Sequence, residues 1–118
     1  MSTQQLVEQW FALWGSGQPE NLPLADDFTH TSPYGTIEGK AAYMALVEAN
    51  RDKFLGNTFE VHDALYEGNR ACVRYTMRSG DFVLPASEWF FTAHGKIERV
   101  VSYYNIEGEV SEARTLSS

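Results

Sequence analysis

Apolar residues recur at helical spacing near the start of the chain and at alternate positions through its second half. Leu6, Trp10 and Leu13 form one stripe and Val7, Phe11 and Trp14 a second beside it, which predicts an amphipathic helix over residues 2–14. Ser2 and Gln5 have the spacing of a capping box at its start, and Gly15-Ser16-Gly17 stops it. Pro19 opens a short second helix to about Ala25, and Phe28–Ser32 reads as a strand ended by Pro33 and turned at Tyr34-Gly35. A further helix is predicted over 39–54, with Tyr43, Leu46, Val47, Asn50 and Phe54 on one side and Gly56-Asn57 closing it.

From residue 58 the period becomes two. Strands are predicted at 58–67, 70–79, 81–92 and 96–106, punctuated by Gly68-Asn69, Ser79-Gly80-Asp81 and His94-Gly95. Connections this short require antiparallel hairpins, because a parallel crossover takes about a dozen residues or more. Pro85 marks an edge position or a bulge in the third of these strands. Helices followed by a curled antiparallel sheet make an α+β domain. A bent sheet closed on one side by helices leaves a blind pocket at its open end. The domain is expected to span 1–106, with the polar segment 107–118 as a tail.

Composition narrows the function. The 118 residues suit one domain, and 9 Lys+Arg against 16 Asp+Glu give a net charge of −7. The basic residues are scattered, so no phosphate-tracking face exists and nucleic acid is not an expected partner. No apolar run approaches the roughly 20 residues of a bilayer span, so no membrane association is expected. The N-terminus has no basic residue ahead of its apolar positions, unlike a secretory signal. Cys72 stands alone, which forbids an internal disulfide and fits a reduced, cytoplasmic setting. Aromatic residues make up 14% of the chain, enough for a dense core or for the wall of a cavity.

Three sets of residues carry a family resemblance in order along the chain. They are the first helix ending in Gly-Ser-Gly with Leu24-Ala25-Asp26-Asp27-Phe28-Thr29-His30-Thr31-Ser32-Pro33-Tyr34-Gly35, then Ile37-Glu38-Gly39-Lys40, then Gly95-Lys96-Ile97 leading to Tyr103-Tyr104-Asn105. Taken together they resemble the nuclear transport factor 2-like superfamily, in particular its ketosteroid isomerase and SnoaL-like members. The resemblance implies a cystatin-like cone, an α+β barrel of curved antiparallel sheet around helices, with a deep apolar pocket. It also implies a homodimer through the outer sheet face. The isomerases use a Tyr on the first helix as oxyanion donor, an Asp before the Pro as base and a second Asp on a long strand as acid. Those positions fall here at Trp10, Ser32 and Ser87. Serine does not abstract a carbon-bound proton unaided near neutral pH, so standard ketosteroid isomerisation is not expected.

Other groups remain for proton transfer. If Ser32 faces the pocket, alternation places His30 and Phe28 beside it. His30 titrates nearest neutrality and is the first candidate acid–base group; the plainer reading is a His that only shapes the cavity. In the last strand Glu98, Val100, Ser102 and Tyr104 share one face, so Glu98 is either a second catalytic group that orients His30 or a solvated charge. Val73, Tyr75 and Met77 are expected inward, as are Ser87, Trp89 and Phe91. With Trp10, Trp14 and Tyr104 these would form an aromatic wall suited to a flat apolar ligand, and Ser32 and Tyr34 would hydrogen-bond it. Arg74 and Arg78 are placed outside with Glu88 and Phe90, either pairing across a dimer interface or as plain surface charge. Asp63 sits on a strand whose facing is open.

His30, His62 and His94 lack metal-ligand spacing, and no cofactor motif is present. The expectation is a SnoaL-like enzyme that binds a small apolar, ring-containing molecule. Its reaction would be an acid–base isomerisation, cyclisation, hydration or dehydration without metal or cofactor. The alternatives are a non-catalytic ligand-binding domain and a protein-association module of the same fold.

Overall fold

The computed structural model describes residues 1–105; the predicted tail 107–118 lies outside the described residues. Helix α1 (Thr3–Gly15) begins on the expected capping box, with the Ser2 hydroxyl accepting from the Gln5 N–H and the Gln5 side chain accepting from the Ser2 N–H. A 3₁₀ turn (Pro19–Asn21) is shorter than predicted, because Leu24 already belongs to strand β1 (Leu24–Ser32). The turn at Tyr34 leads to β2 (Gly35–Glu38), a strand that the sequence pattern did not indicate. Helix α2 (Lys40–Ala49) and the single turn α3 (Arg51–Phe54) divide what reads as one helix. Strands β3 (Thr58–Glu67), β4 (Arg70–Ser79), β5 (Phe82–Ala93) and β6 (Lys96–Tyr103) follow the predicted boundaries closely.

The six strands form one curved, open sheet in the order β2-β1-β6-β5-β4-β3. All pairs are antiparallel except β1 and β6, which run parallel. The sheet is therefore mixed rather than wholly antiparallel, since the two helices between β2 and β3 let β1 lie beside the last strand. Pro85 lies where β5 runs on past β6 and pairs with β4 alone, so it occupies a local edge as its missing N–H demands. His94-Gly95 closes the β5–β6 hairpin in two residues, both with positive φ (52° and 71°). That is the backbone hand a tight hairpin requires.

Both long helices lie on one face of the sheet, α1 against β3, β4 and β5 and α2 against β1 and β2. Between the layers Leu6, Val7, Leu24, Phe28, Val73, Phe90, Ile97 and Val100 are almost wholly buried. Trp10 is the hub of this layer, its ring meeting those of Trp14, Phe28, His30, Tyr43 and Phe90 at centroid distances of 5.6–6.5 Å. Among the described residues no helix is long and apolar enough to cross a membrane.

Candidate functional site

Hairpin register decides which side chains reach the interior. The two-residue turn Gly80-Asp81 pairs Ser79 with Phe82 and, counted back along both strands, Val73 with Glu88 and Tyr75 with Ala86. Val73 and Tyr75 are buried as expected, so Ala86, Glu88, Phe90 and Thr92 must face inward with them. The predicted facing of β5 is thus reversed. Ser87, Trp89 and Phe91 lie on the outer face, Trp89 is 39% exposed, and the Arg99 guanidinium covers the Phe91 ring at 4.0 Å. Glu88 cannot pair with Arg74 or Arg78 across an outer interface. Arg74 instead holds Asp63 on the outside at 2.6 Å.

A β-bulge corrects Glu98 in the same way. Phe91 pairs with Arg99 and Thr92 with Ile97, which leaves Glu98 as the extra residue on β6. The bulge shifts the alternation by one, so Ile97 and Val100 both point inward while Glu98 is exposed. Glu98 therefore does not meet His30. Tyr34 is also outside, at the β1–β2 turn and 76% exposed, with its ring 6.3 Å from that of Tyr104. Trp14 is buried edge-on between Trp10 and Phe54, as core rather than as a cavity wall.

What gathers inside is a polar line within an aromatic cage. The Ser102 hydroxyl donates to the Glu88 carboxylate, and His30 Nε2 lies 3.5 Å from the Ser102 oxygen. Burial pushes the Glu88 carboxyl above its ordinary range; hydrogen bonding from Ser102, Tyr75 and Trp10 offsets part of this by favouring the charged form. Burial also holds the His30 imidazole down at about 4, so it is neutral near pH 7. The His30, Tyr43 and Trp10 rings form a triangle, with His30 5.1 Å from Tyr43 and 6.5 Å from Trp10 and its plane within 26° and 12° of theirs. Tyr43 and Tyr75 are raised as phenols, first by burial and then by the Glu88 charge.

Beyond this line an open hollow of about 470 Å³ lies where β1 and β6 end and β5 begins. Pro33, Tyr75, Ala86, Ser87 and Tyr104 are among its lining residues, together with Arg74 and Tyr103 of the outer face. Tyr75 belongs to both places, since it lines the hollow and its phenol, raised first by burial, is raised further by the Glu88 charge. Ser32 is half-buried near this rim, where its oxygen accepts the Tyr34 N–H at 3.2 Å. Among the described residues no three His, Cys, Asp or Glu side chains converge as a metal site would require.

Of the predicted site residues, His30 and Trp10 lie together in the interior, while Tyr75, Ser87 and Tyr104 line the hollow with Ser32 near its rim. Ser102 and Tyr43 were not named as site residues by the sequence reading, which put Glu88 on the outer face as a partner for Arg74 and Arg78. The signal for Glu88 was present in the two-residue turn, because inward Val73 forces its hairpin partner inward.

The sequence profile of the SnoaL-like domain matches residues 7–100, most of the chain. The protein belongs to the SnoaL-like family. Solved structures agree with this fold. A nuclear transport factor 2-like protein of unknown function from Cytophaga hutchinsonii superposes with a TM-score of 0.75 at 23% identity, covering 89% of this chain and 91% of that one. A protein provisionally assigned as a polyketide cyclase from Pseudomonas putida gives 0.74 at 25% identity, with 90% and 93% covered. One provisionally assigned as a ketosteroid isomerase from Kribbella flavida gives 0.73 at 20% identity, with 98% and 89% covered. A search of curated proteins finds no match. One residue after Ser87, the Glu88 carboxyl faces inward.

Proposed function

We propose that this SnoaL-like protein binds a small apolar, ring-containing molecule in the hollow lined by Tyr75 and Tyr104, and that Glu88, which lies behind that lining, exchanges a proton with it through the Tyr75 hydroxyl. The carrying observation is Glu88, almost wholly buried on the inner sheet face with its carboxylate accepting from the Ser102 hydroxyl, where desolvation holds it above the usual carboxyl range. A carboxyl tuned towards neutrality is suited to both taking and returning a proton. Tyr75 joins that carboxyl to the hollow, and Tyr104 and Ser32 supply polar contacts at the rim. Isomerisation, cyclisation and hydration or dehydration all need this step. Hydrogen–deuterium exchange at the α-carbons of 2-tetralone, followed by NMR in D₂O, tests the reading. The wild-type protein should accelerate exchange above buffer, and Glu88→Gln should return it to background. Equal rates in the two proteins would overturn the proposal, and saturable binding without exchange would leave a ligand-binding domain.

We also propose that a second copy covers the outer sheet face. Leu65 on β3, Cys72 on β4, Trp89 on β5 and Val101 on β6 stand in register as one transverse row there. Leu65 is 74% exposed, and Asp63 with Arg74 borders the row on one side. An aromatic at the centre of an apolar strip with a charged rim has the composition of an interface.

A further inference from the structure

A carboxyl group sealed under aromatic rings needs a route by which its proton arrives and leaves. We propose that Ser102 is a relay residue joining Glu88 to His30, so that the buried carboxyl exchanges its proton through the imidazole. This rests on the reading of Glu88 as the proton-holding group.

The geometry supplies each link. Glu88 and Ser102 are direct partners across the β5–β6 pair, and the parallel β1–β6 pair sets His30 opposite Val100, one inward position from Ser102. The serine hydroxyl donates to Glu88 while its oxygen faces His30 Nε2 at 3.5 Å. A hydroxyl both gives and accepts, and a neutral imidazole gives at one nitrogen and accepts at the other. A proton taken up at His30 Nδ1 is matched by transfer of the Nε2 proton to the Ser102 oxygen and of the Ser102 proton to Glu88. One proton enters, one carboxylate is neutralised, the serine is unchanged, and His30 has passed from its Nε2–H to its Nδ1–H tautomer. Reversal releases the proton. The remaining groups around Glu88 are Trp10 from α1, Tyr43 from α2, Tyr75 from β4 and Tyr104 after β6. The three phenols are all pushed up, and the indole N–H does not titrate near neutrality, so none competes for the proton. The Tyr43 ring packs against the imidazole at 5.1 Å, within 26° of its plane, on the ring whose Nε2 faces Ser102.

The test is ¹⁵N NMR of His30 alongside ¹³C NMR of the Glu88 carboxyl across a pH titration of the ligand-free protein. As Glu88 takes up its proton, the two His30 ring nitrogens should exchange their protonated and unprotonated signals while the ring stays neutral. In Ser102→Ala that exchange should be lost although Glu88 still titrates. In Glu88→Gln, a near-isosteric change, His30 should keep one tautomer until it becomes charged at lower pH. A wild-type His30 that keeps one tautomer through the Glu88 transition overturns the relay. Tautomer switching without tetralone exchange would leave the relay and remove the enzyme; exchange with a fixed tautomer would do the reverse.

Discussion

Ser102 and Glu88 face each other across β6 and β5, and the serine hydroxyl donates to a carboxylate with almost no exposed surface. An ionised carboxylate in such a place costs several kcal/mol unless its oxygens are hydrogen-bonded. The pairing makes this charge tolerable within a layer otherwise filled by Trp10, Phe28 and Phe90.

Glu88 and His30 pull stability in opposite directions as pH changes. His30 falls from 6.5 to about 4 on folding, so the unfolded chain binds a proton that the folded chain refuses. Stability should decline by about 3 kcal/mol as pH drops from 6.5 to 4 and then level off. Glu88 is raised above its ordinary 4.5, so its contribution is present below that value and is lost as pH rises through the folded value. Glu88→Gln should therefore raise the melting temperature relative to wild type more at pH 8 than at pH 4. His30→Gln should flatten the acid-side decline. Thermal melts at those pH values decide both, and equal shifts at the two would refute the Glu88 assignment.

The reversed facing of β5 can be read from neighbouring phenylalanines. Phe90 has no exposed surface and meets the Trp10 and Phe11 rings at 5.6 and 5.9 Å. Phe90→Ala should cost about 3–5 kcal/mol in urea unfolding. Phe91→Ala, under Arg99 on the other face, should cost nearer ~1 kcal/mol. Equal losses would return β5 to the facing that the sequence pattern implied.

Trp89 stands in the middle of the outer row. Trp89→Glu places a charge against its own copy and should shift a dimer to monomer by sedimentation, weakening association by about thirtyfold or more. The interior is untouched, so the melting transition of the monomer should keep its cooperativity. A wild-type protein that sediments as a monomer at high micromolar concentration removes the interface proposal.

His94 has a φ of 52° in the β5–β6 turn. His94→Gly should be neutral or slightly stabilising, because glycine enters that region freely. His94→Val should lose about 1–2 kcal/mol, since a β-branched residue is strained there. Chemical denaturation of the two variants measures the difference.

Strand number, hairpin positions and the first helix were legible because each rests on local physics: a capping box at Ser2, two-residue turns, a period of two. Facing was less so. The run Ser87-Glu88-Trp89-Phe90-Phe91-Thr92 has aromatic residues on both faces and its one charge on the inner face, the opposite of what hydrophobic alternation rewards. Glu98 was misplaced because a bulge adds one residue without any glycine to announce it. β2 was missed because four residues beside a turn carry too little pattern. His30, Trp10 and Tyr75 were found because each continues an alternation or stripe that the structure preserves. Ser102 was assigned to the correct face, but nothing in its own segment signals its partners on β5 and β1.

The parallel pairing of β1 with β6 also sets an order of assembly. His30 and Ser102 are 72 residues apart, and β6 is the last strand among the described residues, so the line from Glu88 to His30 has no local precursor. A chain emerging from the ribosome holds Trp10, His30 and Tyr43 long before the strands that complete the site exist. Closing β6 between β1 and β5 is a long-range step of the kind that slows folding. The candidate chemistry of this protein is therefore absent from every partial chain and arrives only when the sheet is whole.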